Sequence, residues 1–129
     1  MATEGIMNPT LSRINVLAAY PSSALDLPIL CKQCDGAPCI ATCPRQALKR
    51  DHRTGAVTVD KWDCNGCAIC MSACPLGAIL IRTNGLAAKC DLCRGDPRCV
   101  GFCPVNAIAF KTLEEVSAER RLEAAKHVT

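Results

Sequence analysis

The chain has 129 residues, with twelve cysteines, four aromatic side chains and a net charge of +3. So few aromatic residues cannot fill an aromatic core, so something other than side-chain burial has to occupy the interior. The mild charge is spread along the chain and excludes a basic tract of the nucleic-acid-binding kind. No apolar stretch reaches the length a bilayer requires, so no membrane insertion is expected.

Residues 1–30 read as an irregular N-terminal arm, punctuated by Pro9, Tyr20-Pro21 and Pro28. The arm has no basic start, and its apolar run Val16–Tyr20 is too short for a signal h-region. A cytoplasmic, reducing setting is therefore expected, in which patterned cysteines read as metal ligands and not as a disulfide scaffold.

Residues 31–111 repeat three times. The first group is Cys31, Cys34, Cys39 and Cys43, followed by Pro44. The second is Cys64, Cys67, Cys70 and Cys74, followed by Pro75. The third is Cys90, Cys93, Cys99 and Cys103, followed by Pro104. Every cysteine belongs to one of these groups. After each proline comes a short apolar run, "RQALKR", "LGAILIR" and "VNAIAFK", predicted to begin with one helical turn opened by the proline. Two of these runs lead to hairpin signals. Gly55 precedes the alternating Val57 and Val59, and Asn84-Gly85 is a two-residue turn signal. Residues 112–129 are predicted to form a helix. Thr112 and Glu115 make a capping box, Leu113, Val116 and Leu122 a thin apolar face, and Arg120, Arg121 and Lys126 suit its C-terminal end.

The second group has the spacing C-x2-C-x2-C-x3-C-P, the bacterial iron–sulfur run that serves as a standard example of [4Fe-4S] ligation. Three closely spaced thiolates reach three corners of a cuboidal cluster only if the loop wraps it tightly. Gly66 permits that approach, and backbone N–H groups can then point at the sulfurs. The fourth cysteine is expected where a helix begins, aimed away from its own loop. In two-cluster ferredoxins it ligates the other cluster. Structural zinc would instead use two separated C-x2-C pairs around one tetrahedral ion. Three runs of four ending in proline fit that poorly.

These motifs carry a resemblance. "CKQCDGAPCIATCP", "VDKWDCNGCAICMSACPLGAI" and "AKCDLCRGDPRCVGFCPVNAIAF" resemble the second, third and fourth cysteine motifs of polyferredoxin-type electron-transfer subunits. That family includes the iron–sulfur subunits of molybdenum and tungsten oxidoreductases, and those serving formate hydrogenlyase and carbon monoxide dehydrogenase. "NPTLSRINVL" and the tail "TLEEVSAERRLEAAKHV" are similar to flanking segments of the same family. The family's first motif has no counterpart here, and the fourth is short between Cys93 and Cys99.

The resemblance implies an α+β fold of the bacterial two-cluster ferredoxin type, with short helices and β-hairpins around clusters. An extra single-cluster segment and the C-terminal helix would extend it. It also implies three [4Fe-4S] clusters. The first would be held by Cys31, Cys34, Cys39 and Cys74. The second would be held by Cys64, Cys67, Cys70 and Cys43. The family's pattern leaves Cys90, Cys93 and Cys99 without a partner motif; Cys103 is the one thiol remaining to complete a third cluster, and the short loop, not the resemblance, is what suggests that it turns back to its own cluster. A third site that is empty or binds zinc is the runner-up.

Outside the cysteines, Trp62 is expected to pack in the interior, the alternative being a shield over a cluster. Lys32 and Lys89 flank cysteines and are expected to be solvated, although a cation there would favour a reduced cluster. His52 and His127 sit in no ligand spacing. With no nucleophile, acid–base pair or substrate motif in view, the chain is expected to have no catalytic residues of its own. The expected role is an electron-transfer subunit of a larger catalytic oxidoreductase, exchanging electrons with a redox donor or acceptor protein. The resemblance favours a tungsten or molybdenum enzyme as partner, such as one of the aldehyde-oxidoreductase type that includes class II benzoyl-CoA reductase; hydrogenase and carbon monoxide dehydrogenase are the other candidates. A free-standing soluble polyferredoxin and a zinc-stabilised binding module are the competing readings.

Overall fold

The computed structural model describes Gly5, residues 7–18 and residues 26–128. The Tyr20-Pro21 signal lies outside the described residues. The chain divides into two compact units, Met1–Gly95 and Asp96–Thr129. The boundary falls inside the third cysteine group and not at residue 112, where the sequence places the edge of the cysteine-rich domain.

In the first unit, β1 (Asn15–Ala18) pairs antiparallel with β2 (Asp26–Ile29). The arm expected to be irregular therefore holds a two-stranded ribbon. Both strands of such a ribbon are edges, so Pro28 is tolerated opposite Val16 without breaking a central ladder. Upstream, Asn8 caps a short 3-10 turn at Pro9–Leu11 by accepting from the Thr10 amide at 3.0 Å.

Two similar halves follow. In the first, α1 (Pro38–Ala41) leads through Cys43-Pro44 to a hairpin of β3 (Leu48–Arg50) and β4 (Val57–Val59). In the second, α2 (Ile69–Ala73) leads through Cys74-Pro75 to a hairpin of β5 (Leu80–Ile81) and β6 (Ala87–Ala88). Helices α1 and α2 lie side by side. The β3–β4 loop is organised by Asp51, whose carboxylate accepts from the Arg53 amide and the Thr54 hydroxyl, each at 2.9 Å. These two bonds hold its carboxyl below the usual carboxylate range.

The Asn84-Gly85 turn differs from the two-residue form expected. Arg82 pairs with Leu86, the Gly85 amide donates to the Arg82 carbonyl at 2.9 Å, and of the pair Gly85 alone is left-handed (φ +79°). This is a three-residue loop, in which a type I turn ends in a left-handed glycine.

The core is built from small residues. Ala37, Cys39, Leu48, Val57, Cys70, Ile79 and Ala87 form one buried cluster, flanked by buried Ala47, Ala56, Ala78 and Ala88. Val57 is the largest fully buried side chain among the described residues. Alanine and cysteine leave space where larger side chains would close it.

The second unit contains α3 (Arg98–Phe102) and α4 (Leu113–Val128). Its long helix starts with the capping box read from the sequence. The Thr112 amide donates to Glu115 Oε2 at 2.6 Å, and the Glu115 amide donates to Thr112 Oγ1 at 3.2 Å.

Candidate metal centre

The helical turn of each repeat precedes the Cys-Pro pair and does not follow it, which corrects the expectation from the sequence. Cys39, Cys70 and Cys99 lie on α1, α2 and α3. The last cysteine of each group comes at or just after the end of its helix. Proline explains this, because it disfavours helical geometry in the residue before it. Cys74 and Cys103 are accordingly extended, at ψ 115° and 108°.

Beyond each Cys-Pro the backbone makes the same turn three times. The third residue after the cysteine is left-handed: Gln46 (φ 52°), Gly77 (φ 63°) and Asn106 (φ 50°). The amide of the alanine that follows then donates to the cysteine sulfur. The distances are 3.3 Å for Ala47 to Cys43, 3.4 Å for Ala78 to Cys74 and 3.2 Å for Ala107 to Cys103. A second repeated feature lies inside each C-x2-C. The residue before the second cysteine is left-handed in Gln33 (φ 50°), Gly66 (φ 73°) and Leu92 (φ 54°). Amides aimed at sulfur favour the thiolate, which is the ligating form.

Gly66 meets the steric demand read from the sequence. A Cβ there would stand 1.9 Å from the Gly85 carbonyl oxygen. The second cysteine loop is thus pressed against the β5–β6 turn, and only glycine fits.

Two cavities open among the first eight cysteines. One is walled by Cys31, Cys34 and Cys39 of the first group together with Cys74 of the second, and by Ala37, Ala78, Ile79 and Lys89. The other is walled by Cys64, Cys67 and Cys70 of the second group with Cys43 of the first, and by Leu48 and Ala87. Each cavity therefore brings three cysteines of one group together with the last cysteine of the other. Of the third group, Cys90 and Cys93 belong to the first unit, and Cys99 and Cys103 to the second.

Burial pushes the Cys39 thiol up, against the opposing pull of the Lys89 charge and the Ile40 amide. Burial likewise raises Cys70 and Cys90. At Cys43 burial also acts upward, but the amides of Ala47, Arg45, Leu48 and Gln46 together outweigh it and lower the thiol. The Ala107 and Val105 amides lower Cys103. Cysteines that held a metal group there would do so as thiolates, a form that burial disfavours at Cys39 and Cys70 and that backbone amides favour at Cys43. None of the twelve cysteines is paired in a disulfide.

Among the described residues, no three His, Cys, Asp or Glu side chains converge closely enough to hold a single metal ion. Four thiols set around a small-residue void, with amides directed at sulfur, fit a multi-atom iron–sulfur group.

Three residues take places the sequence did not suggest. Trp62 is 93% exposed, so it neither packs in the interior nor covers a cavity. Its amide is held by Asp60, which turns the chain outward just before Cys64. Lys89, expected in solvent, is buried. Arg50 clamps the first cysteine loop, donating to the Cys34 carbonyl, to the Asp35 carbonyl at 3.2 Å and to the Gly55 carbonyl at 2.8 Å. A guanidinium with several donors in one plane suits this gathering of carbonyls. Lys32 is exposed, as expected.

Residues 23–113 match the 4Fe-4S dicluster domain. The chain belongs to this iron–sulfur family. Among curated relatives, the polyferredoxin-like subunit of the aliphatic sulfonate oxidoreductase of Pyrococcus furiosus is 42% identical over 96 residues, covering 74% of this chain and 54% of the relative. The hydrogenase-2 operon protein HybA of Escherichia coli O157:H7 is 39% identical over 108 residues, covering 74% of this chain and 33% of the relative. The thiosulfate reductase electron transfer subunit PhsB of Salmonella typhi is 36% identical over 90 residues, covering 64% and 46%. The 4Fe-4S dicluster chain thus spans about half or less of the length of these relatives. Its short helices and small antiparallel sheets are of the ferredoxin type. No described helix is long and apolar enough to cross a membrane.

Proposed function

We propose that this chain is an electron-transfer subunit that relays electrons to or from a larger oxidoreductase catalytic subunit. The observation that carries the reading is the pair of cavities, each lined by three cysteines of one group and the last of the other, within a 4Fe-4S dicluster domain. In this reading Cys31, Cys34, Cys39 and Cys74 ligate one [4Fe-4S] cluster, and Cys64, Cys67, Cys70 and Cys43 a second. The third group, Cys90, Cys93, Cys99 and Cys103, supplies thiols for a third cluster on the strength of its sequence alone. When bound, each cluster supplies one-electron chemistry. The chain's own part is to hold the thiolates, direct amides at them and surround them with small apolar residues, settings that govern cluster potential.

The printed roles of the relatives, as subunits or operon partners of a sulfonate oxidoreductase, a hydrogenase and a thiosulfate reductase, support a larger redox enzyme as partner. Within that class we favour a tungsten or molybdenum enzyme, with class II benzoyl-CoA reductase as one instance, on the sequence resemblance. Anaerobic purification of the tagged chain from its native host tests this. The expected result is a brown complex in which a larger subunit carries tungsten or molybdenum. A chain that elutes alone and brown would make it a free carrier. A colourless, zinc-loaded chain would make it a binding module.

A further inference from the structure

Lys89 is 4% exposed and is the buried charged residue among those described. It follows β6 and precedes Cys90. Its ammonium donates to the Val57 carbonyl at 2.6 Å, the Cys90 carbonyl at 3.0 Å and Gln33 Oε1 at 3.1 Å. An ammonium has three donors, and all three end on neutral oxygens. None of the ion pairs among the described residues includes it. Gln33 is fixed in turn, since its Oε1 accepts from the Val57 amide at 2.9 Å and its Nε2 donates to the Cys90 carbonyl at 2.8 Å.

A buried cation without a counter-charge is costly, so its retention calls for negative charge nearby. That charge is available in the cavity of Cys31, Cys34, Cys39 and Cys74, which Lys89 also lines. The second cavity differs. Its one basic wall residue, Arg45, is exposed and donates to the Asp63 carbonyl at 3.0 Å. Solvent screens an exposed charge far more than a buried one. The two cysteine cavities, alike in their sulfurs, are therefore unlike in their electrostatics.

We propose that Lys89, held in place by Gln33, is a positioning charge that raises the reduction potential of the group bound by Cys31, Cys34, Cys39 and Cys74 above what its thiolates alone would give. This rests on the cluster-binding reading given above. Reduction adds one electron, delivered by an external redox protein, and so one unit of negative charge to the cavity. The positive charge of Lys89 beside the cavity favours the more negative state.

The test is an anaerobic redox titration of the full chain with dithionite as reductant, followed by electron paramagnetic resonance, with iron and sulfide counted in each sample. Lys89→Gln is expected to lower the reduced-to-oxidised ratio of one cluster at fixed potential about tenfold, equivalent to about 59 mV for one electron. The cluster of Cys64, Cys67, Cys70 and Cys43 should stay where it was, while a cluster on Cys90, whose carbonyl Lys89 also contacts, should move in the same direction. Gln33→Glu keeps the lysine but sets a carboxylate against it, and is expected to move the same cluster in the same direction. Lys89→Arg, which keeps the charge, should shift it much less.

Unchanged potentials in a fully loaded Lys89→Gln chain would overturn the proposal and leave the cluster reading intact. Equal shifts in Lys89→Arg and Lys89→Gln would also overturn it, since charge would then be irrelevant. Loss of that cluster alone from both Lys89→Gln and Gln33→Glu would make the pair a structural strut and not a tuning device. A wild-type chain without iron and sulfide would sink the cluster reading itself.

Discussion

Gly66 carries the sharpest steric demand in the chain, because a Cβ would come within 1.9 Å of the Gly85 carbonyl oxygen. Gly55 has almost the same dihedral (φ +72°) but nothing within 4 Å of its Cβ position. Alanine at Gly55 therefore bears the left-handed penalty alone, on the order of 1 kcal/mol. Gly66→Ala bears that penalty and a backbone collision, and is expected to lower stability by at least about 2 kcal/mol. Thermal unfolding of the two variants side by side checks the difference. A second residue-scale prediction concerns the crossing of the groups. Cys74→Ala is expected to cost the chain about four iron from the cavity of Cys31, Cys34 and Cys39, while leaving the spectrum of the Cys64–Cys70 site in place. Loss of the signal from the second site instead would mean that each group serves itself. Gly66 and the cysteine spacings could be read from the sequence because their constraints are local. Lys89, Arg50 and Trp62 could not. Lys89 is fixed by Gln33 and Val57 from other turns, Arg50 by carbonyls of a loop some fifteen positions upstream, and Trp62 is exposed against the general preference of tryptophan for burial.

At the scale of elements, the three Cys-Pro turns repeat in geometry as they do in sequence, down to the alanine amide on sulfur. The helices lie before the Cys-Pro pairs because proline, although favoured in a helix's first turn, restricts the residue before it more strongly here. The strands of the N-terminal ribbon were hidden for another reason. Their four-residue segments carry no alternation, and they exist by pairing with each other. The capping box of α4 was fully legible, being local. The Thr112 amide and hydroxyl hold the Glu115 carboxyl below its usual range. Its contribution to the first turn of α4 is thus complete above the unfolded carboxyl value, about 4.3, and is lost as pH falls through the lower folded value. Amide hydrogen exchange in that turn is expected to quicken in this acid window in the parent chain. Glu115→Gln should remove the pH dependence, and an unaltered profile in that variant would count against the capping role.

For the molecule as a whole, the interior is mostly alanine and cysteine, with Val57 the largest fully buried side chain among the described residues. Such a core buries too little apolar area to offset the entropy of ordering the chain. Ligation then has to supply folding free energy, as it does in small metal-dependent domains. Complete removal of iron is expected to abolish cooperative unfolding, and a sharp melt in the iron-free chain would contradict this. The same logic explains why the sequence revealed the site better than the fold around it: the sulfurs are the framework, and the strands are short connections between them. Whether the cysteine cavities hold [4Fe-4S] clusters is decided by iron, acid-labile sulfide and zinc per chain in anaerobically purified protein. Iron and sulfide are expected in equal amounts, about twelve of each if the third group is loaded and about eight if only the crossed pair is. Stoichiometric zinc without sulfide would contradict this.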